Sequence, residues 1–423
     1  MNKLSISDLK IDDCRRDITR SNDYLQGIAA RYDRFVSDGK MDVIGRVFHS
    51  IPCKNTSISY SSASADNADV REVLHLGSYN YSGLNGHQKI IESSINATHH
   101  YGTTSSGVRL LNGTCALHLE MEQRLAKFLG VEEVITFSSG FCANLAALST
   151  LCREGDIVFS DILNHQSIVD GLKLSGATVQ IYQHVSLKNL EKRLRQTTFQ
   201  ARKFIVTDGV FSMDGDLAPL PGIVELARKY NAFVVVDDAH GTGHIGPNGR
   251  GSCAHFGITD QIDVITGSLS KGLPGIGGFI GTNKETGKII RIAATPYIYS
   301  ASLPPSVLAS IISAIDILDS SPQLTSELQT KAEYFRQKLR DAGFNICNSE
   351  TAIVPLITGD EHRCYEMARM LHEKCIYVNP VAYPAVSKTR ARIRMNLSAN
   401  LSNEELDYSI RTLIQIGQKL ALI

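Results

Sequence analysis

The sequence predicts an α/β protein in which a mostly parallel β-sheet forms a large domain and a smaller α/β domain follows. From about residue 73 to about residue 300, short β-branched runs alternate with helical patterns, as in VITFS then GFCANLAALSTL, and KFIVTD then LPGIVELARKY. Short apolar runs separated by helices are typical of parallel strands that helices cover on both faces. After Pro304 and Pro305 the pattern changes to a long helix, SVLASIISAIDILDS, strands near AIVPLIT, IYVN and RIRMN, and a closing helix from Asn403.

Residues 1 to about 72 are predicted to form an N-terminal arm. Within SNDYLQGIAARYDRFVSDG, the apolar side chains of Tyr24, Ile28, Tyr32 and Phe35 recur at helical spacing. We expect this helix to pack on the body of the protein or on a second subunit. The polar run SISYSSASADNAD that follows is typical of a loop. The predicted parts are therefore an arm (1–72), a large domain (73–300) and a small domain (301–423).

Composition excludes several classes of protein. The 423 residues carry 43 Lys plus Arg and 43 Asp plus Glu, so no net charge attracts the chain to nucleic acid or to an acidic membrane. The nine cysteines are scattered and odd in number, which favours reduced thiols over a disulfide framework or a zinc site. The sequence has no apolar export segment and no stretch near ~18 apolar residues. We expect a cytoplasmic protein with no membrane span and no metal.

Function in such a sheet gathers at the carboxyl ends of strands, where VVVDDAHGTGHIG places an acid and several glycines. Gly241, Gly243 and Gly246 spell G-x-G-x-x-G, but a dinucleotide site needs the glycines to open a helix with an acid about 20 residues later. Here Asp237 precedes the glycines, and a turn-rich stretch follows them. Asp237 is either a solvated acid at a strand end or, as we favour, the partner of a protonated ring nitrogen.

Lys271 lies just after the predicted strand DVITGS, in the glycine-rich segment SLSKGLPGIGGFIGT. A lysine held in a cleft has its ammonium form disfavoured and can act as an amine nucleophile. The glycines are suited to let the main chain approach a ligand, and the hydroxyls of Ser268 and Ser270 are suited to meet a phosphate. A lysine followed by glycine is by itself usually a surface feature. Combined with Asp237, it provides the Schiff-base lysine and the pyridinium partner of a pyridoxal 5'-phosphate site.

Two helix starts have both a structural and a functional interpretation. SSGFCANLAAL opens with Ser139 and Gly140, a junction that either only ends the strand or binds a phosphate through free main-chain N–H groups. In DILNHQSIVDG, His165 is either a cap or core residue or, if an aromatic cofactor is present, a side chain stacked on its ring.

The small domain carries the arginine-rich segment TRARIRMNLSAN. Strand alternation puts Arg392 and Arg394 on one face, with Arg390 just before them. The segment is either an exposed basic strand or the source of a guanidinium that binds a carboxylate through two hydrogen bonds.

In their order and spacing, these segments resemble the α-oxoamine synthases, fold-type-I pyridoxal-phosphate enzymes that condense a small amino acid with an acyl thioester and release CO2. The resemblance covers about residues 75 to 400 and rests on TDGVFSMDGDLAPL, VDDAHGTGHIGPNGRG, SLSKG, SSGFCANLAAL and LNHQSIVDG. Within the family, LGSYNYSGL, SSGVRLLNGT, PYIYSASLPPSV and IYVNP look most like bacterial serine palmitoyltransferase. VRLLNGT also resembles 2-amino-3-ketobutyrate CoA ligase, and SLSKGLPG departs from the serine palmitoyltransferase pattern.

The resemblance implies that Lys271 forms the Schiff base and is the catalytic base, and that Asp237 pairs with the pyridine nitrogen. The other cofactor contacts that it implies are His240 and Ser212 at the ring hydroxyl, His165 stacked on the ring, Gly140, Phe141 and Ser268 at the phosphate, and Ser300 of the partner subunit at the same phosphate. For the substrate, it implies Arg394 and Asn80 at the carboxylate, with Tyr79 beside them.

The reaction expected from the resemblance joins L-serine to a long-chain acyl-CoA in a homodimer with shared sites, as in sphingolipid synthesis. Alternatives are a family member that uses glycine or alanine, like 2-amino-3-ketobutyrate CoA ligase or 8-amino-7-oxononanoate synthase, and an acyl carrier protein as the donor. A fold-type-I aminotransferase or decarboxylase would share Lys271 and Asp237 but not the SMDGDLAPL and HGTG segments. A non-catalytic subunit of a two-chain synthase is disfavoured because such subunits typically lack the lysine.

Overall fold

A seven-stranded β-sheet forms the centre of the computed structural model, which describes residues 22–60, 70–197 and 200–423. Its strands are Glu133–Phe137 (β4), Ile157–Asp161 (β5), Thr178–Tyr182 (β6), Lys203–Asp208 (β7), Ala232–Asp237 (β8), Val264–Ser268 (β9) and Gly278–Thr282 (β10). They lie in the order β4–β10–β9–β8–β7–β5–β6. β10 runs antiparallel to both β4 and β9, and the other neighbours are parallel. The prediction of a mostly parallel sheet is confirmed.

Helices cover both faces of this sheet, as the alternation within its strands requires. In β8, Val235 packs into the core on one face, while Val234 and Val236 pack into the core on the other. The helices that contribute to the first core are Gly140–Leu151, Gln166–Ser175 and Lys284–Ala293. Those that contribute to the second are Gln88–Tyr101, Ala116–Leu129, Leu187–Arg195, Leu220–Tyr230 and Pro305–Ser320. Short helical turns at Pro247–Gly249, Ser252–His255, Thr259–Gln261 and Thr295–Ile298 lie in the connections.

The C-terminal part has its own sheet and core. Its strands are Ile353–Gly359 (β11), Ile376–Tyr377 (β12), Asn379–Val381 (β13) and Ala391–Asn396 (β14), and its helices are Gln323–Asp341, Glu361–Glu373 and Asn403–Lys419. The antiparallel order β11–β14–β13 places β14, which carries the arginines, in the middle. The closing helix begins at Asn403 as predicted and is capped by Ser402, whose Oγ accepts a hydrogen bond from the Glu405 N–H.

Three N-terminal strands, Arg46–Phe48 (β1), Asn55–Tyr60 (β2) and Arg71–His75 (β3), join β12 in a separate sheet of order β1–β2–β3–β12. The prediction of a loop over SISYSSASADNAD is therefore wrong for residues 57–60, which lie in β2, while residues 61–69 lie outside the described part. The run carries only two large side chains with apolar character, Ile58 and Tyr60, and it becomes a strand by pairing with β1 and β3. The boundaries of the arm and the two domains stay a prediction.

The predicted arm helix is present as Asn22–Ser37, followed by a short helix, Met41–Ile44. Phe35 packs edge-to-face on Tyr365, with ring centroids 5.9 Å apart. Just beyond the helix, Lys40 Nζ lies 2.8 Å from Glu361 Oε1. The helix therefore docks on the C-terminal part of the chain, whereas Tyr32, included in the predicted apolar spacing, is exposed.

No single helix within residues 22–60, 70–197 and 200–423 is long and apolar enough to cross a membrane. The helices Pro305–Ser320 and Gln323–Asp341 are together long and apolar enough for a membrane span, but the pair is bent by 77°.

Candidate active site

The site is built where three neighbouring strands of the large sheet end. Asp208 closes β7, Asp237 closes β8 and Ser268 closes β9, with Asp208 paired in register with Asp237. Lys271 comes three residues after β9 ends. Parallel strands present their carboxyl ends at one edge, so the fold brings the predicted lysine and the predicted aspartate together.

Asp237 is buried and held by two hydrogen bonds. Asn144 Nδ2 donates to Asp237 Oδ2 at 2.6 Å, and the Ala239 N–H donates to Oδ1 at 3.0 Å. Asn144 is itself fixed, because its Oδ1 accepts from Thr266 Oγ1 at 2.5 Å and its Nδ2 also donates to Ser167 Oγ at 2.8 Å. These two donors fix the orientation of the Asp237 carboxyl group. Asn144 was missed from the sequence, although an amide inside the apolar run FCANLAAL was a usable signal.

Lys271 lies in a largely desolvated position. Burial lowers the pKa of Lys271 below its ordinary value, while the carboxylates of Asp237 and Asp208 act in the opposite direction. Its Nζ lies 5.8 Å from the centroid of the Tyr79 ring. A lysine with a depressed pKa and two acids nearby is suited both to nucleophilic attack and to proton transfer.

Asp208 is a second buried acid at this edge, and the sequence interpretation did not include it. Burial raises the pKa of Asp208 well above its ordinary value, and the charge of Asp237 raises it further. Asp208 Oδ1 accepts a hydrogen bond from the His165 main-chain N–H at 3.2 Å. The second acid therefore connects the Asp237 strand to the loop that carries His165.

His165 caps the helix Gln166–Ser175, which confirms one of its two interpretations without excluding the other. Its Nδ1 lies 2.7 Å from Ser167 Oγ, and its ring is edge-to-face with Phe141 at a centroid distance of 6.4 Å. Burial lowers the pKa of His165, and the nearby Lys271 lowers it further. A neutral imidazole fixed through one nitrogen leaves its ring available for stacking.

The turn before the helix Gly140–Leu151 has the form expected of a phosphate site. Ser139 caps the helix, and its Oγ accepts from the Cys142 N–H. A Cβ at Gly140 would lie 3.1 Å from Ser268 Cβ, so glycine keeps the turn open beside β9. Ser268 Oγ lies 2.8 Å from Ser270 Oγ. Free N–H groups and hydroxyls at a helix start suit an anion.

The resemblance implies that Ser300 of one subunit contacts the phosphate bound in the other subunit. Within a single chain, Ser300 already lies near the turn that precedes the helix Gly140–Leu151. Its Oγ donates to Ser138 Oγ at 3.2 Å. The contact places this hydroxyl next to Ser139, and the role of Ser300 across a subunit boundary stays a prediction.

His240 lies behind the site, against two tyrosines. Tyr81 OH and His240 Nδ1 are 2.9 Å apart, and Tyr79 packs edge-to-face on the imidazole at 5.5 Å. Burial lowers the pKa of His240 well below its ordinary value, and the charges of Lys271 and Arg394 lower it further. Ser212 lies near Arg394, because the main-chain carbonyl of Ser212 accepts a hydrogen bond from Arg394 Nη1 at 3.5 Å.

Arg394 is buried, and of the three arginines it alone has no carboxylate partner in the described structure. Its Nη2 donates to Tyr79 OH at 2.6 Å, and its Nε is buried without a hydrogen-bond partner among the described residues. Arg392 and Arg390 both pair with Asp214, at 2.7 and 3.2 Å. Strand alternation predicted the shared face of Arg392 and Arg394 correctly, but their different partners come from the loop at 212–214.

Asn80 adds a second unsatisfied donor. Its Oδ1 accepts from the Asn85 N–H at 3.1 Å, while its Nδ2 is buried and has no partner in the part of the chain that is described. A buried donor without a partner costs free energy, so a ligand acceptor is its expected partner.

Two of the glycines near Lys271 are required by packing within the chain, while the close approach of the main chain to a ligand stays a prediction. A Cβ at Gly272 would lie 2.3 Å from the Thr242 carbonyl oxygen, and one at Gly278 would lie 2.3 Å from the Ser139 carbonyl oxygen. The close neighbours are thus main-chain atoms of the protein itself. Glycine is required there because two loops of the site pack backbone against backbone.

Pyridoxal phosphate fits the residues at this edge. The Gly140 turn leaves room for a phosphate, Lys271 is a buried amine, and Asp237 is a fixed carboxylate. When bound, the cofactor supplies a protonated ring that accepts electrons from the substrate α-carbon. The residues that would hold it are those named from the sequence, and their individual roles stay predictions. No group of three or more His, Cys, Asp or Glu side chains that could hold a metal ion occurs in residues 22–60, 70–197 and 200–423.

Fold and site together define a pyridoxal-phosphate-dependent enzyme of fold type I. The family model of aminotransferase class I and II matches residues 71–413. An 8-amino-7-oxononanoate synthase of Thermoanaerobacter pseudethanolicus is 41% identical over 356 residues, which are 84% of this chain and 90% of that one. The chain belongs to this aminotransferase class and, within it, to the α-oxoamine synthases.

Two solved structures show how the fold compares. Serine palmitoyltransferase of Sphingomonas wittichii has a TM-score of 0.88 and 31% identity, covering 94% of this chain and 98% of that one. The 8-amino-7-oxononanoate synthase of Francisella tularensis has a TM-score of 0.72 and 26% identity, covering 83% of this chain and 99% of that one. The sequence resemblance to serine palmitoyltransferase is thus matched in structure. The identity of 41% to the Thermoanaerobacter 8-amino-7-oxononanoate synthase is higher than the identity to either solved structure.

Proposed function

We propose that this α-oxoamine synthase condenses L-alanine with a carboxylate-bearing acyl thioester, the reaction that the name 8-amino-7-oxononanoate synthase describes. In that product, carbon 8 carries the amino group and carbon 9 is a methyl group, which is what alanine leaves after losing its carboxyl group. Carbons 1 to 7 then come from a seven-carbon acyl group with a terminal carboxylate. The identity of 41% to a synthase of this name supports the proposal. It replaces L-serine and a long-chain acyl-CoA, the expectation from the sequence, as the first candidate.

The observation that carries the proposed reaction is the pair of unsatisfied buried donors, Arg394 Nε and Asn80 Nδ2. Both belong to residues beside Tyr79, whose ring also lies near Lys271. An amino acid carboxylate is an acceptor of the right charge for a guanidinium and an amide. We infer that Arg394 and Asn80 bind this carboxylate and so orient the α-carbon toward Lys271.

Lys271 is the group proposed to remove the α-proton. Its depressed pKa leaves a larger share of neutral amine near neutral pH than a solvated lysine has. Asp237, fixed by Asn144, would keep a positive charge on the bound ring nitrogen, and His165 would cover the ring. Burial around these groups would keep water away from the substrate α-carbon until the acyl thioester arrives.

L-serine with a long-chain acyl thioester is the second candidate, favoured by the TM-score of 0.88 to a serine palmitoyltransferase. Serine differs from alanine by one hydroxyl, and an apolar pocket discriminates weakly against such a group. The choice between them therefore requires measurement with both amino acids.

We expect L-alanine to give the highest kcat/KM in a panel with glycine and L-serine, measured by release of thiol from the acyl donor. A missing methyl group costs about 1–3 kcal/mol, so glycine should be at least roughly 10-fold poorer than L-alanine. Both acyl-CoA and acyl carrier protein donors are tested, and omission of the amino acid is the control. A higher kcat/KM with L-serine would overturn the alanine assignment, and thiol release without any amino acid would overturn the reaction class.

We also expect a homodimer whose sites are shared between subunits. An inactive Lys271→Ala chain mixed with an inactive Ser300→Ala chain should recover part of the activity if Ser300 of the partner subunit completes the site. Heterodimers are first verified by differential tags and mass. If they show no recovered activity, Ser300 acts within its own chain, as its 3.2 Å contact with Ser138 suggests.

A further inference from the structure

His184 lies between two carboxylates at the edge of the site. Its Nδ1 lies 3.0 Å from Asp161 Oδ1 and its Nε2 lies 2.9 Å from Asp216 Oδ2. Both acids are buried, while the His184 side chain is 22% exposed. The ring also packs edge-to-face on Phe211, with centroids 4.4 Å apart. We refer to Asp161, His184 and Asp216 as the His184 bridge.

One end of the bridge holds the loop that carries His165. Asp161 ends β5, and its Oδ1 also accepts from the Leu163 N–H at 2.8 Å. The loop continues through Asn164, whose Oδ1 accepts from the Asp208 N–H at 3.0 Å, to His165. A displacement of Asp161 would therefore be passed on to His165 within a few residues.

The other end holds the loop that carries Ser212. The Asp216 carbonyl accepts from the Phe211 N–H at 3.0 Å, which closes the turn that contains Ser212 and Met213. The carbonyl of Ser212 accepts from Arg394 Nη1, and that of Met213 accepts from Arg392 Nη1 at 2.9 Å. The bridge thus connects the His165 loop to the loop against which the arginine strand rests.

The connection at Val185 shows how firmly this region is held. Val185 has a φ of +47°, which a β-branched residue adopts only under strain. The Val185 N–H donates to Asp161 Oδ2 at 2.9 Å. Asp161 therefore binds both His184 and the strained residue Val185.

We propose that His184 is a positioning residue that sets the separation between the His165 loop and the Ser212 loop across the cofactor site. This assignment rests on the proposed function, because those loops flank the residues inferred to hold the cofactor and the amino acid. A single imidazolium with a donor on each side matches two carboxylates, and no neutral side chain of that size can donate to both along opposite directions.

The charge of His184 gives a readout that is independent of catalysis. Burial by itself lowers the pKa of His184, but hydrogen bonds to Asp161 and Asp216 raise it to about 10. A pKa raised in the folded state stabilises the fold fully below the unfolded value of about 6.5, and this stabilisation is lost as pH rises toward 10. The groups that face the ring are the carboxylates of Asp161 and Asp216 and the ring of Phe211.

The test compares His184→Gln with the wild type and with His255→Gln, a matched change at an exposed histidine. In the cofactor-loaded, folded His184→Gln protein we expect the KM for the amino acid and the Kd for pyridoxal phosphate to rise roughly 10- to 100-fold, as a misplaced site predicts. The loss of Tm between pH 6.5 and pH 10 should be smaller than in the wild type. The double variant His184→Gln/Asp216→Asn, which removes one unpaired carboxylate, should recover Tm but not KM.

If folded, active His184→Gln protein keeps the wild-type Kd for pyridoxal phosphate and the wild-type KM for the amino acid, the positioning role is overturned and the proposed function is not. Recovery of KM in the double variant would overturn the positioning role too, because the bridge would then matter only for stability. If the wild type lacks synthase activity with any amino acid, the proposed function fails. The Kd for the cofactor and the pH profile of Tm still test the bridge in that case.

Discussion

Replacing Lys271 with alanine is expected to lower the rate of condensation at least about 10³-fold, the range lost when a positioned base and nucleophile is removed. Lys271 follows β9, which ends beside the strand edge where Asp208 and Asp237 meet, and burial already lowers its pKa. Reduction of the loaded wild type with borohydride should fix the cofactor to Lys271, detected by mass spectrometry of the peptide. The variant should bind the cofactor without a covalent link.

The matched control is Lys288→Ala, a change at an exposed lysine in the helix Lys284–Ala293 that pairs only with its neighbour Glu285 in the described structure. Its rate and its labelling at Lys271 should equal those of the wild type. Cofactor found on another lysine after reduction, or a Lys271→Ala protein with substantial activity, would contradict the assignment. Circular dichroism shows whether the variant is folded, and we expect it to fold because Lys271 is not part of an apolar core cluster.

The strands and helices around the large sheet could be predicted because their signals are local. The predicted strand KFIVTD has the same first and last residue as β7 in the structure. β10 was not predicted, since the segment GFIGT reads as part of a glycine-rich loop and becomes a strand only by pairing with both β4 and β9. β2 was read as a loop for the same reason, because long-range pairing can override a polar local sequence.

In the candidate site, too, some residues could be predicted from local sequence pattern and others could not. Lys271 and Asp237 follow strands whose pattern is evident, so their meeting at one edge follows from parallel topology. Asn144 and Asp208 act through contacts that depend on how a helix and a neighbouring strand pack, and no spacing rule encodes that. The distinction between Arg394 and Arg392 likewise depends on where Asp214 lies, in a loop nearly two hundred residues earlier in the chain.

Arg394→Ala is expected to weaken amino acid binding by ~30- to 1000-fold, equivalent to about 2–4 kcal/mol for a charged contact to a buried carboxylate. The reason is that Arg394 is buried and pairs with no carboxylate in the described structure, so a substrate carboxylate is its natural partner. Cofactor binding should change little, because Arg394 lies on β14, in a different sheet from β8 and β9, which end at Asp237 and Ser268. The measurement is a titration of the loaded enzyme with L-alanine, L-serine and glycine, followed by the absorption of the cofactor.

The neighbouring arginines provide the controls that make this result interpretable. Arg390 is exposed and paired with Asp214, so Arg390→Ala should bind the amino acid as the wild type does. Arg392 is fully buried in its pair with Asp214, so Arg392→Ala should instead destabilise the fold by about 3–5 kcal/mol, seen as a lower Tm. Unchanged affinity in Arg394→Ala would place the carboxylate elsewhere, with Asn80 and Tyr79 as the remaining contacts. If the affinity for all three amino acids falls by one common factor, Arg394 binds the carboxylate that they share. The side chain of the amino acid is then recognised by other residues of the site.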